Sequence, residues 1–388
     1  MIPGMTYEQR LRRQLVRGLR RNGFLRDDTV AEALSTVPRH IFVPDRPLKA
    51  VYRDEALITK QLDGVPVSSS SQPSIMAIML EQLQLEPGQH VLEIGAGTGY
   101  NAALIARLVG AKGRVTTVDI DPEIAARAKA NIRSADFNNV HVVTGDGGAA
   151  FADDAPYDRI IATASCWQVP PQWVEQLKDG GLLVLPFRLN GAHISLALRK
   201  QGEDLISTGA STCGFMPLRG AFGPSYERRH DDATASADGD LGMAAWMSLE
   251  RLLREPRDVK VSFPRRRDFA NTPLFYIALQ GKPVLRYFRQ TGSSGTVPFL
   301  LLTSPKSAIG LPALRPPRGR LALFGSDEAL TYMRRALADW HEAGQPDQRQ
   351  LRARVRPSRA RLGPLPRPAN GKYRFRRGDH LYELWFER

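Results

Sequence analysis

His90-Val-Leu-Glu-Ile-Gly-Ala-Gly-Thr-Gly-Tyr100, followed by Val115-Thr-Thr-Val-Asp-Ile-Asp121, decides the fold. The first stretch reads as a short apolar strand running into a glycine-rich turn, the second as a buried strand ending in a carboxylate. Asp119 lies 22 residues beyond Gly97 (119 − 97), about the length of one helix and a returning strand. Glycines let backbone approach a ligand, and an acidic residue about 20 positions on can bond a ribose diol. The spacing here is G-x-G-x-G (Gly95, Gly97, Gly99) rather than the dinucleotide G-x-G-x-x-G, and Glu93 sits at the end of the first strand. That combination points away from a dinucleotide and towards S-adenosylmethionine, a nucleoside with a sulfonium and no phosphate to cradle.

Outward from this unit the pattern alternates. Strands are expected at 89–95, 114–119, 140–144, 157–163 and 181–187, with helices at 100–109, 122–134 and 170–177. Such alternation specifies a doubly wound α/β sheet, seven-stranded and Rossmann-like, with ligands beyond the carboxyl ends of its strands. Apolar spacing of three and four makes residues 6–40 helical. Residues 66–73 read as a serine-rich loop, and Pro73 opens a helix. The polar stretch between Gly220 and Leu241 reads as a linker. Beyond it come strand-like runs at 258–263, 274–279, 296–303 and 320–324, a helix from Asp327 to Ala343, and a final strand or two after Lys372. The expected division is therefore 1–222, a cofactor-binding domain, and 223–388, an α+β accessory domain for substrate recognition.

The charge follows that division. Of the 388 residues, the first 222 hold 24 Lys and Arg against 23 Asp and Glu, and the remainder hold 30 against 17. A basic region attracts acidic partners. Arg265-Arg-Arg267 and Arg374-Phe-Arg-Arg377 read as solvated basic strands. The two cysteines, Cys166 and Cys213, show no metal spacing and suit a reducing cytoplasm. No run of about 18 apolar residues is present to span a membrane. His40 and His380 belong to no ligand cluster, so no metal is expected.

Thr144-Gly-Asp-Gly147 places a second carboxylate, Asp146, at a strand end. In the cofactor reading Asp146 and Gly147 meet the adenine, Asp119 and Ile120 the ribose, and Glu93 to Gly99 the methionine part. With Ala33-Leu-Ser-Thr-Val-Pro-Arg-His-Ile-Phe-Val-Pro44, Ser71-Gln-Pro73, Ala155-Pro-Tyr-Asp158, Gln176-Leu-Lys-Asp-Gly-Gly181 and Phe215-Met-Pro-Leu218, these segments carry a specific resemblance. Over residues 8–222 the chain resembles the protein-L-isoaspartate O-methyltransferases.

The resemblance implies methyl transfer from S-adenosylmethionine to the side-chain carboxylate of isoaspartyl or aspartyl residues, with a succinimide to follow. Ser71 matches the family's active-site serine. Ser69 and Ser70 replace the threonine and apolar residue usual before it, and Trp167 stands in what is a small Ala/Pro-rich loop; these three are candidate substrate-loop residues. The chain also continues past the Phe-Met-Pro-Leu segment where the repair enzyme ends. That extension, with Leu321-Ala-Leu-Phe-Gly-Ser-Asp-Glu-Ala-Leu330, is similar to relatives that mature ribosomally made peptides, so the partner is a damaged protein or an acidic precursor peptide. An RNA methyltransferase with a basic docking domain is the competing reading, but Ala162-Thr-Ala-Ser165 offers neither of its expected motifs. A non-catalytic binding module is the third.

Overall fold

The computed structural model describes residues 5–189, 192–223, 227–230, 233–236, 256–260, 284–289, 299–304, 306–311, 320–358 and 372–387, with Leu252, Tyr276 and Leu279. Two helices start the chain. α1 (Tyr7–Arg21) opens on a Thr6–Gln9 capping box, and α2 (Asp28–Thr36) on Asp27, whose carboxylate accepts from Thr29 N and Val30 N. Each cap satisfies backbone donors that have no partner inside the helix. A short helix α3 (Leu48–Val51) and a hairpin of β1 (Leu57–Leu62) and β2 (Val65–Ser70) lead to α4 (Pro73–Leu83), with proline at its first turn.

The α/β unit follows in the expected order: β3 (His90–Ile94), α5 (Tyr100–Val109), β4 (Arg114–Asp119), α6 (Pro122–Ser134), β5 (Val140–Thr144), β6 (Tyr157–Ala162), α7 (Pro171–Gln176) and β7 (Leu177–Leu189). Strands β5-β4-β3-β6-β7 are parallel, and β8 (Ala192–Gln201) and β9 (Asp204–Thr212) continue antiparallel. These are the seven strands of the expected fold. The strand order reverses direction between β3 and β6, and ligands bind at such switch points. One core, with Leu34, Met79 and Leu104, lies under the helices; the other, with Trp173, Phe187 and Leu198, lies on the opposite face.

The sheet does not end at β9. β17 (Leu351–Pro357) pairs with β9 through Arg354↔Ile206 and Val355↔Leu205, and β19 (His380–Phe386) and β18 (Lys372–Arg377) extend it to ten strands. Phe187 stacks on Tyr382 with ring centroids 5.2 Å apart, so the added strands close over the second core. A second, antiparallel sheet has the order β10-β11-β13-β14-β15-β16-β12. Its strands are β10 (Glu227–His230), β11 (Ala233–Ser236), β12 (Pro256–Lys260), β13 (Val284–Arg289), β14 (Phe299–Ser304), β15 (Ser307–Leu311) and β16 (Arg320–Gly325). Against it α8 (Glu328–Glu342) buries Ala329, Met333 and Ala336 with Ile309 and Leu323.

Three local expectations change. Residues 65–70 are strand rather than loop, because β1 supplies a partner in register from Leu57↔Ser70 to Leu62↔Val65. The polar stretch after Gly220 contains the β10–β11 pair, since composition does not report the cross-strand hydrogen bonds that ladder supplies. Tyr276 and Leu279, inside a run read as strand, are helical, a case of short apolar periodicity not discriminating the two. The Arg265–Arg267 cluster lies outside the described residues. Among the described residues no helix is long and apolar enough to cross a membrane.

Candidate active site

β3 delivers Glu93 to a cleft of about 530 Å³ that also reaches the ends of β4 and β6. Glu93 is fully buried. Its Oε2 accepts from the Thr117 hydroxyl at 2.6 Å and its Oε1 from Asn101 Nδ2 at 2.8 Å. Burial pushes its carboxyl up to about 7, against the pull of those two bonds. The glycines after it have different tasks. At Gly95, φ is +98° and a Cβ would come within 2.6 Å of Thr163 Oγ1. At Gly99, φ is +86° and a Cβ would lie 2.9 Å from Ile132. Both are therefore demanded by left-handed backbone and by close packing of the loop on its own protein. Gly97, with φ +54°, lines the cleft together with Gly95, and a Cβ on it would stand 3.2 Å from Ser69 O.

Asp119 ends β4 as expected. Its Oδ2 accepts from Gly97 N at 3.2 Å and its Oδ1 from Asp121 N at 3.1 Å. Burial raises its pKa, offset in part by those backbone donors. Arg219, not anticipated from the sequence, lies 3.7 Å from Asp119 Oδ1 and 3.7 Å from Asp121 Oδ2. Those distances exceed a hydrogen bond, so Asp119 retains acceptor capacity for hydroxyl donors. Lys60 reaches from β1 to Asp121 at 2.9 Å and to Glu123 at 2.6 Å. Burial works against ionisation of Asp121, but the Lys60 ammonium and the Ile124 N–H outweigh it and hold the carboxyl below its usual range. Ile120 and Gly147 line the same cleft.

Period-2 alternation sorts the serines of β2. Ser68 accepts from the Thr59 hydroxyl at 3.1 Å, and Ser70 from Arg39 Nε at 3.3 Å; both are buried. Ser69 and Ser71 are half-buried in the cleft, and among the described residues their hydroxyls have no protein hydrogen-bond partner. Arg39 fastens the segment from beneath. Wholly buried, its guanidinium donates to the carbonyls of Val51 (2.7 Å), Arg53 (3.3 Å), Glu55 (3.2 Å), Ser70 (3.3 Å) and Ser71 (2.9 Å). Its signal in the sequence was a lone charge between Val37 and Phe42 in an otherwise apolar stretch.

Asp146 and Trp167 are not brought into the cleft. Asp146 caps a short turn, accepting from Gly148 N at 2.8 Å and Ala221 N at 2.8 Å. The Arg377 guanidinium stacks over Trp167, 5.8 Å from the ring centroid, and donates to its carbonyl at 2.7 Å. Cys166 is buried, and burial pushes its thiol far up. It should label with maleimide only after unfolding; rapid labelling of native protein contradicts that placement. Among the described residues no group of three or more His, Cys, Asp or Glu is placed to hold a metal.

A buried carboxylate, a cradle of left-handed glycines and an acceptor at the end of β4 fit S-adenosylmethionine. Residues 9–222 match the family described as protein-L-isoaspartate(D-aspartate) O-methyltransferase. The chain belongs to that family. It is thus an S-adenosylmethionine-dependent enzyme that methylates carboxylates of isoaspartyl residues in proteins. The protein-L-isoaspartate O-methyltransferase of Ignicoccus hospitalis is 36% identical over 211 residues, 53% of this chain and 96% of the relative. That of Methanopyrus kandleri is 39% identical over 219 residues, 55% of this chain and 94% of the relative. A solved protein-L-isoaspartate O-methyltransferase superposes with a TM-score of 0.51 at 27% identity, covering 88% of this chain and 96% of its own. Coverage that large reaches well beyond residue 222, so part of the extension has a counterpart in that methyltransferase.

Proposed function

We propose that Ser71 orients the acceptor carboxylate, and that Glu93, Gly95, Gly97, Gly99, Asp119, Ile120 and Gly147 form the cofactor site, with Asp146 acting on it only by holding the Gly147–Gly148 turn. Ser69 and Ser70 shape the substrate loop, and Trp167, held by Arg377 outside the cleft, lies in a second candidate substrate loop. The observation that carries this reading is the meeting of two segments: the end of β2 comes against the glycine loop, with Ser69 O 3.2 Å from where a Gly97 Cβ would stand, and Ser69, Ser71, Gly97 and Asp119 line one cleft. When bound, S-adenosylmethionine supplies an electrophilic methyl group on a sulfonium.

The protein has little bond-making chemistry to add. A carboxylic acid with a reference pKa of about 4 is already ionised at neutral pH, so no general base is needed. The work is alignment of one oxygen and exclusion of water. Charge is lost as the ester forms, so a serine donor holds the ground state at least as firmly as the transition state; its contribution is orientation. Arg39 supports it by fixing the Ser70 and Ser71 carbonyls.

Ser71→Ala should lower kcat/KM for an isoaspartyl peptide by about tenfold or more, the worth of one hydrogen bond to a charged group. S-adenosylmethionine affinity should stay within about twofold, since the substitution removes no cofactor contact. Loss of cofactor binding in that variant sinks the assignment. Residues 223–388 we assign to substrate recognition, apart from β17–β19, which are built into the methyltransferase sheet beside β9, in a protein working in the cytoplasm. Radiolabelled cofactor with isoaspartyl peptides and with an acidic precursor carrying ordinary Asp decides between broad repair and dedicated maturation.

A further inference from the structure

α1 carries a second groove. Leu11, Leu15 and Leu19 on α1 and Tyr52 after α3 form an apolar floor, and the open space above is about 690 Å³. Gly18 lies mid-helix on that floor, where a Cβ would meet nothing within 4 Å. Glycine at such a position costs about 1 kcal/mol of helix stability relative to alanine. No neighbouring side chain of the protein uses the space it leaves.

The rim is basic. Arg21 and Lys49 both line the groove, and Arg17 lies one turn before Arg21 on the same helix. All three are exposed, and among the described residues none pairs with a carboxylate. The nearest acid, Asp54, is committed to Ser74 N at the start of α4.

Two chain segments border both the groove and the cleft. Asn22 lines the groove and Phe24 the cleft; Asp54 lines the groove and Ala56 the cleft. Two chain segments thus pass from one to the other in two residues, a span of about 7 Å. From Tyr7 to Asn22 the helix is about 22 Å long, enough for six or seven extended residues.

We propose that the α1–α3 groove binds an acidic peptide segment flanking the residue whose carboxylate is methylated. The proposal rests on the carboxyl-methylation reading of the cleft. A peptide fits better than a nucleic acid: bases stack on successive exposed aromatics, whereas of the two tyrosines lining the groove Tyr52 is buried and bonded to His40 and only Tyr7 is exposed, and the groove lies two residues along the chain from a carboxylate-methylating cleft. Apolar side chains of the segment would lie over Gly18 while its acids meet Arg17, Arg21 and Lys49.

The test uses the full chain and a fluorescein-labelled ten-residue peptide rich in Glu and Leu, lacking isoaspartate, read by anisotropy at low salt. Wild type should bind it, and Gly18→Trp and Arg21→Glu/Lys49→Glu should each weaken binding by about tenfold or more, a loss of fit and of charge complementarity respectively. A Lys-rich peptide of equal length should bind at least about tenfold more weakly than the acidic one. In methylation assays, a short isoaspartyl tripeptide should be turned over equally by wild type and variants, whereas an acidic-flanked isoaspartyl peptide should lose its lower KM in the variants. Equal binding by wild type and both variants overturns the proposal, as does displacement of the probe by single-stranded RNA in preference to unlabelled acidic peptide. If wild type methylates neither substrate, the carboxyl-methylation reading fails, and the anisotropy result still decides the groove.

Discussion

Asp119→Ala is expected to weaken S-adenosylmethionine binding by about ten- to 150-fold, the equivalent of 1.5–3 kcal/mol for a hydrogen bond to a charged group. The carboxylate ends β4 and already holds the glycine loop through Gly97 N and the next turn through Asp121 N. Removing it deletes the acceptor proposed for the ribose and loosens the glycine loop that Asp119 holds through Gly97 N. The same loss should appear with S-adenosylhomocysteine, because the ribose is common to both. Arg219 supplies the charge facing Asp119 and Asp121, 3.7 Å from each carboxylate. Arg219→Ala should therefore leave affinity equal or tighter. Calorimetry on the two variants gives the answer, and unchanged affinity in Asp119→Ala would falsify the ribose assignment.

Glu93→Gln is expected to change the pH dependence of stability by roughly 3 kcal/mol. Burial holds the folded carboxyl near pH 7, whereas the unfolded value lies at the ordinary 4.5. The folded state therefore binds the extra proton between these values. That contribution to stability is fully present below about pH 4.5 and is lost as pH rises through about 7. Glutamine cannot titrate. Denaturant unfolding of the cofactor-free protein should thus show wild type losing ground to Glu93→Gln between pH 5 and pH 8. Asp27, Asp121 and Asp154 shift the other way, but they are present in both proteins and cancel in the difference. Parallel pH profiles would show that Glu93 ionises freely, and its place beneath the cleft would need another explanation.

The α/β unit was legible because its signals are local and redundant. A glycine turn between an apolar strand and a helix, and a carboxylate at the next strand's end, each follow from backbone conformation and short-range spacing. Glu93, Gly97, Ile120, Asp119 and Gly147 were located this way and do share one cleft. The glycines were legible for a partly different reason, since Gly95 and Gly99 answer to Thr163 and Ile132 as well as to any ligand. Arg219, Lys60 and Arg39 escaped because their partners lie far along the chain: 100 residues separate Arg219 from Asp119, and 61 separate Lys60 from Asp121. A surface cation looks the same in sequence whether or not an acid waits opposite it.

The serine run shows the same limit more sharply. As a loop, Ser68–Ser71 offers four interchangeable hydroxyls. As strand β2, which runs to Ser70, it alternates, turning Ser68 and Ser70 into buried bonds with Thr59 and Arg39, while among the described residues Ser69 and Ser71 keep unbonded hydroxyls in the cleft that all four line. Strand formation there depends on pairing with β1, a non-local event that propensity does not report. By itself the sequence determined the doubly wound unit, its cofactor class and the family to which the chain belongs, because those rest on backbone geometry encoded over short spans. Only the tertiary structure decided which serine hydroxyls are bonded and which are left open in the cleft, what stands opposite Asp119, and that strands from the far end of the chain complete the sheet beside β9. Those are pairings between distant segments, and their energies exist only once the chain has closed.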